Sequence, residues 1–248
     1  MRALILAAGR GSRMGRHTKD RPKVLLDLDG MSLLDRHDHS LRTGGAHRIA
    51  IVSGYRADLL TGYGDRTFHA PRWSQTNMVV SLTAAHEWLC AATCLVAYGD
   101  IFYPAETVRE LIEAPGQLAI AYDPHWLALW SRRFDDPLDD AETFRLSESG
   151  NVSEIGSRAN NLADVAGQFM GLLRFTPAVW ERVCRHLSGL DPEVRDRLDT
   201  TSLLAALIAD GEQVTAVACT GPWGEIDHPT DLDLYRSAMC TAGKDPGR

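Results

Sequence analysis

A chain of 248 residues is long enough to bury roughly three-quarters of its unfolded surface, so one domain with or without a small insertion accounts for it. Hydrophobic residues make up 44% and charged residues 24%, which excludes fibrous, collagen-like and disordered classes. The formal charge of −7 argues against nucleic acid or an anionic membrane as a general partner, and apolar runs such as residues 203 to 209 fall far short of the ~20 residues a spanning helix needs.

The start, Met1-Arg2-Ala3-Leu4, runs into a strand-like segment without a cleavage pattern, so a cytoplasmic protein is expected. Ala3 to Ala7 reads as a buried strand followed by a glycine-rich loop. Ser32 to Arg42 reads as a helix stopped by Gly44-Gly45, Arg48 to Ser53 as a strand, and Val79 to Leu89 as a helix. Cys94 to Tyr98 forms a strand ending at Gly99-Asp100. A helix from Pro104, a strand Leu118 to Tyr122 and a polar region Asp123 to Asp140 follow. Thr143 to Leu146 and Asn151 to Ile155 pair as a hairpin around Ser149-Gly150. The second half adds a strand Phe169 to Phe175, helices starting near Pro177 and Thr200, a strand Gln213 to Cys219 and a closing helix from about Pro229.

This alternation predicts an α/β, Rossmann-like fold, a mostly parallel sheet sandwiched by helices. Residues 1–241 form one domain, with an acceptor lid and hairpin region at 123–156, and 242–248 read as a disordered tail. Ligands in such sheets bind beyond the carboxyl ends of strands, which directs attention to residues 8–23, 53–55, 98–100 and 123–140. Cys90, Cys94, Cys184, Cys219 and Cys240 show neither a paired nor a zinc spacing, so reduced, buried thiols are expected.

After the first strand comes Leu6-Ala7-Ala8-Gly9-Arg10-Gly11-Ser12-Arg13-Met14-Gly15, then Thr18, then Arg21-Pro22-Lys23. Small residues let backbone N–H groups approach a polyphosphate, and Arg13 and Lys23 add positive charge. The loop is neither a dinucleotide fingerprint nor a Walker loop. Of 26 basic residues only Lys19, Lys23 and Lys244 are lysine, so both internal lysines follow this loop, where a compact ammonium suits phosphate.

The pattern resembles the signature of the nucleoside-triphosphate transferase family, whose members join a nucleotide to a phosphorylated acceptor and release pyrophosphate. The resemblance implies the sheet of nucleotide-diphospho-sugar transferases. It places Mg²⁺ on Asp100 and Asp227, which suits an ion that takes a few carboxylates and completes its shell with phosphate and water. The Glu-Ile-Asp-x-Pro-x-Asp-Leu run at 225–232 is similar to the closing motif of the choline-phosphate cytidylyltransferase branch. Asp100 and Asp227 are thus expected to converge beside Lys23, although Asp227 taken alone also reads as a cap or turn residue.

Thr76, Asn77 and Ser81 resemble the nucleotide contacts of cytidylyltransferases for choline phosphate or aminoalkylphosphonates, making CTP the expected co-substrate with UTP open. Thr76 or Asn77 could equally cap the helix. Asp123, Trp126, Trp130 and Arg133, with Gln168, are the expected contacts of a small acceptor such as phosphocholine, 2-aminoethylphosphonate or 2-hydroxyethylphosphonate. Trp126 and Trp130 also stand at the i, i+4 spacing of a buried helix stripe. A sugar-1-phosphate nucleotidyltransferase or a molybdopterin-type transferase, both with a similar loop, and an inactive nucleotide-binding protein are the alternatives, and a monomer or homodimer is expected.

Overall fold

A computed structural model describes residues 1–242. A seven-stranded sheet is built from β1 (Arg2–Ala7), β2 (Arg48–Ser53), β3 (Arg66–His69), β4 (Cys94–Tyr98), β5 (Leu118–Asp123), β6 (Gln168–Phe175) and β7 (Val214–Ala218). Its spatial order is β7-β5-β6-β4-β1-β2-β3. All pairings are parallel except those of β6, which runs against both β5 and β4. The fold is therefore the mixed, mostly parallel α/β sheet expected from the sequence.

The strands separate two cores because successive side chains point to opposite faces. From β1, Ala3, Ile5 and Ala7 enter one core and Leu4 the other. The first face carries α1 (Leu33–Thr43), α4 (Ala105–Glu113) and α5 (Trp126–Arg133). The second carries α2 (Met78–Thr83), α3 (His86–Ala91), α6 (Pro177–Gly189) and α8 (Thr200–Ala209), with α7 (Pro192–Arg197) on its rim. The hairpin strands Glu142–Leu146 and Val152–Arg158 place Phe144, Val152 and Ile155 in that second core.

Side-chain caps fix where several helices begin, since they satisfy N–H groups that the first turn leaves free. Ser32 accepts from the Asp35 N–H, and Asp199 accepts from the Ser202 N–H at 2.7 Å. The single helix expected over 79–89 is instead two. Ala84 and Ala85 donate to Ser81 and Leu82, three residues back, a tighter turn that directs Trp88 and Leu89 into the core. Edge strand β3 escapes sequence reading because only Phe68 of its residues is buried.

A third cluster lies under the carboxyl end of the sheet. Met14, Leu26, Leu28 and Leu33 meet Phe102, Ile226, Leu232 and Tyr235 there. It ties the segment after β1 to the segment after β4 and to α9 (Pro229–Ala242). Among the described residues no helix is long and apolar enough to cross a membrane. Cys94 and Cys219 are buried as expected, but Cys90 is exposed and Cys184 half-buried, because both lie on the outer rim of helices. The Cys240 thiol, and the tail beyond Ala242 at the end of α9, lie outside what is described.

Candidate active site

The loop after β1 is anchored from within. Met14 and Thr18 are fully buried, and the Thr18 hydroxyl donates to the Gly11 carbonyl at 2.8 Å. Gly11 has a positive φ of 69°, and a Cβ there would lie 2.9 Å from Lys23 Cδ. A side chain at 11 would therefore be strained and would displace the lysine stem. With the anchors turned inward, Arg10, Ser12 and Arg13 stay exposed.

Asp100 follows Gly99, whose Cβ position is only 2.5 Å from the Leu6 carbonyl oxygen. That close approach sets Asp100 beside the loop. The next residues pair antiparallel with Gly224–Glu225, and the Ile226 N–H donates to the Asp100 carbonyl at 2.9 Å. This short ladder draws a segment more than a hundred residues away against the end of β4. In extended backbone, residues two apart point to the same side, so Glu225 and Asp227 both face Asp100. Asp231 fixes the turn that follows, accepting from the Asp227 and His228 N–H groups at 2.8 Å each.

The charged groups meet there. Lys23 Nζ donates to Asp100 Oδ2 at 2.9 Å and to Asp227 Oδ1 at 2.5 Å, and Arg13 Nη2 lies 3.0 Å from the same Asp227 oxygen. Burial works against the charged form of Lys23, but the charges of Asp100 and Asp227 outweigh it and raise its pKa. Burial likewise opposes the Asp227 carboxylate, yet Lys23 and Arg13 hold its pKa below the usual range. Glu225 behaves oppositely. Burial, reinforced by repulsion from Asp227 and Asp100, pushes its carboxyl up to about 8 despite Arg133 and Lys23.

Carboxylate oxygens of Asp100, Glu225 and Asp227 lie within 4.8 Å of one another, and Asp100 Oδ1 is buried without a hydrogen-bond partner. Three crowded acids with an orphaned oxygen form a donor set that fits a hard divalent cation.

Two cavities adjoin this cluster and share Leu6, Gly9, Gly99 and Asp100. One, of about 170 Å³, is also lined by Ala7, Gly11, Arg13 and Lys23. The other, of about 210 Å³, adds Ala8, Trp73, Thr76, Asn77, Ser81 and Tyr98. The first is cationic and bordered by the loop, as a polyphosphate requires. The second offers an aromatic ring, hydroxyls and an amide, as a nucleoside requires. Asn77 also caps α2, accepting from the Met78 N–H at 2.7 Å and donating to the Arg197 carbonyl at 3.1 Å. The exposed Ser12 begins the turn beyond Gly11 and lines neither cavity.

The expected acceptor contacts need correction. Trp126 and Trp130 are 4% and 3% exposed, and the Trp126 indole donates to the Val165 carbonyl. They form the inner stripe of α5 in the core. Arg133 has no exposed side-chain surface and is held by Glu225 and Asp231 at 3.2 and 3.1 Å. A guanidinium paired with two acids is not open to an acceptor phosphate; it steadies the turn bearing Asp227. Asp123 is committed to the His125 N–H and the Trp223 indole, and Gln168 donates to the Glu142 carbonyl. Glu225, Asp231 and Trp73 have no place among the sequence-derived site residues. The spacing of Glu225 two before Asp227 was the available signal for the first.

Residues 3–152 match the family model described as the MobA-like NTP transferase domain. The chain belongs to the MobA-like NTP transferase family. It is thus a nucleotidyltransferase, as the loop motif implied, with a cytidylyltransferase relative of the kind that the 225–232 run and Thr76, Asn77 and Ser81 suggested. It is 33% identical to the CTP:phosphoglutamine cytidylyltransferase of Campylobacter jejuni, over 94% of this chain and 98% of that protein. The inositol-1-phosphate CTP transferase from T. maritima superposes with a TM-score of 0.75 at 20% identity, covering 98% of this chain and 96% of that one. The CTP:phosphocholine cytidylyltransferase from Streptococcus pneumoniae gives 0.71 at 19% identity, covering 96% and 98%. At those identities the two structures establish the shared nucleotide-diphospho-sugar transferase fold.

Proposed function

We propose that this transferase joins CMP from CTP to a small acceptor bearing a phosphate or phosphonate, with release of pyrophosphate. The observation that carries the reading is the meeting of Lys23, Asp100, Glu225 and Asp227 between a cationic cavity and a nucleoside-sized one. CTP is favoured by Thr76, Asn77 and Ser81 on the cavity wall and by the 33% identity to the CTP:phosphoglutamine cytidylyltransferase of Campylobacter jejuni.

An acceptor phosphate carries about −1.5 to −2 charge at neutral pH and is already a nucleophile, so no general base is needed. The chain's work is positioning and neutralisation. The loop amides and Arg13 hold the β- and γ-phosphates, and Lys23 turns its ammonium toward the oxygen bridging the α- and β-phosphates as negative charge accumulates there. Thr76, Asn77 and Ser81 orient the nucleoside so that the α-phosphorus faces the acceptor. Asp100, Glu225 and Asp227 would hold Mg²⁺, which when bound supplies positive charge to the phosphates.

Pyrophosphate release should require both a nucleotide and an acceptor. CTP, UTP, ATP and GTP are each tested with phosphocholine, 2-aminoethylphosphonate, 2-hydroxyethylphosphonate, a phosphorylated amino-acid amide and glucose 1-phosphate. Turnover confined to UTP and the sugar phosphate would replace this reading with the sugar alternative, and tight CTP binding without turnover on any acceptor would replace it with a binding protein.

A further inference from the structure

Far from the nucleotide cavities, α3 and α6 pack together and set two thiols against one imidazole. Cys90 Sγ lies 3.4 Å from His86 Nε2, and Cys184 Sγ lies 3.6 Å from His86 Nδ1. The Trp180 indole N–H donates to Nδ1 at 3.1 Å. With Nδ1 accepting, the proton of the neutral ring resides on Nε2, where it faces Cys90 Sγ. The reacting form of a thiol is its thiolate, and this N–H group stands where it can donate to the Cys90 sulfur in that form. Cys90 is also exposed, whereas Cys94 and Cys219 are buried and burial pushes the Cys94 thiol up to about 12. Nδ1 lies within 3.8 Å of both the Cys90 and Cys184 sulfurs, so a second thiol stands next to the exposed one.

We propose that Cys90 is a thiol-modification site, that Cys184 is its resolving partner, and that the co-reactant is a low-molecular-weight disulfide. The Cys90 thiolate attacks one sulfur of that disulfide and breaks its S–S bond. One half stays as a mixed disulfide on Cys90, and the other leaves and takes up the proton that Cys90 gave to solvent. Cys184, deprotonated in turn, attacks the Cys90 sulfur and expels the second half as a thiol. Two protein thiols are oxidised, one small disulfide is reduced to two thiols, and α3 becomes linked to α6. This placement is independent of the acceptor and nucleotide assignments.

The test is incubation of the full chain with oxidised glutathione at mildly alkaline pH, followed by intact mass and non-reducing peptide mapping. Wild type should lose two hydrogens and yield a Cys90–Cys184 peptide. Cys184→Ser should stop at one glutathione on Cys90, and Cys90→Ser should leave Cys184 unmodified over the same interval. His86→Ala should slow Cys90 modification about tenfold, the change expected for one hydrogen bond to a charged group. A wild-type chain that halts at the mixed disulfide overturns the resolving role. Cys90 reacting no faster than a free thiol, or at an unchanged rate in His86→Ala, overturns the site itself.

Discussion

The nucleotide side and the supposed acceptor side contain similar kinds of residue and use them in opposite ways. Around Gly9, Lys23 and Asp100, polar groups border empty space, and Asp100 Oδ1 has no partner within the protein. Around Asp123 to Arg133, the polar atoms of Asp123, Trp126 and Arg133 are satisfied within the protein, and the Trp130 indole N–H, though unpartnered, is walled into the core. What separates the two regions is open space beside the polar groups: Lys23 and Asp100 line a cavity, whereas Trp126 and Trp130 are closed in by the core.

The largest expected effect belongs to the first side. Asp100→Asn and Asp227→Asn should each lower kcat by on the order of a hundredfold to a thousandfold, or about 3–4 kcal/mol of transition-state stabilisation. Steady-state pyrophosphate release checks this, and undiminished turnover in either variant would remove that carboxylate from the chemistry. Arg133→Met should act on the fold. It leaves Glu225 and Asp231 unpaired, costing about 3 kcal/mol and on the order of 10 °C in Tm. The acceptor KM should stay within about twofold, whereas a wild-type Tm with a raised KM would return Arg133 to the acceptor.

A smaller effect separates burial from charge. His37 is fully buried, and burial lowers its pKa to about 4 although the Asp100 charge opposes this. Between pH 4 and 6.5 the unfolded chain binds a proton that the folded one refuses, so stability falls as pH drops through that window. The loss between pH 7.5 and 5 should be about 2 kcal/mol by urea denaturation, and His37→Gln should flatten it. A slope unaltered by that substitution would show that His37 does not titrate as its burial dictates. The smallest effect is for Thr76→Ala, which should raise the CTP KM about threefold with kcat unchanged, the value of one modest hydrogen bond. A change in kcat instead would move Thr76 from ground-state binding to the reacting centre.

The sheet, its cores and the loop were legible because they depend on short-range pattern. β1 and β4 are apolar runs that end in glycine, and their parallel pairing brings those ends to one edge. Lys23 stood out because lysine is rare in this chain. Glu225 was less visible, since its neighbourhood is created by a two-residue ladder to Ile101–Phe102 that no periodicity announces. The acceptor contacts were misjudged for another reason. Trp126, Trp130 and Arg133 share one helical face, and spacing alone does not tell whether that face meets solvent, ligand or core. Arg133 looked like a phosphate ligand until Asp231, at the start of α9, was seen to occupy it.

The third hydrophobic cluster sets an order of events. The seventh strand ends at Ala218, so a growing chain has every strand of its main sheet before Glu225 or Asp227 has been added. Ile226, Leu232 and Tyr235 must then seat against Met14 and Phe102 to deliver those two acids. A chain cut after Ala218 should retain a sheet yet never assemble the proposed centre: shape comes first, and the cluster of acids arrives with the final stretch.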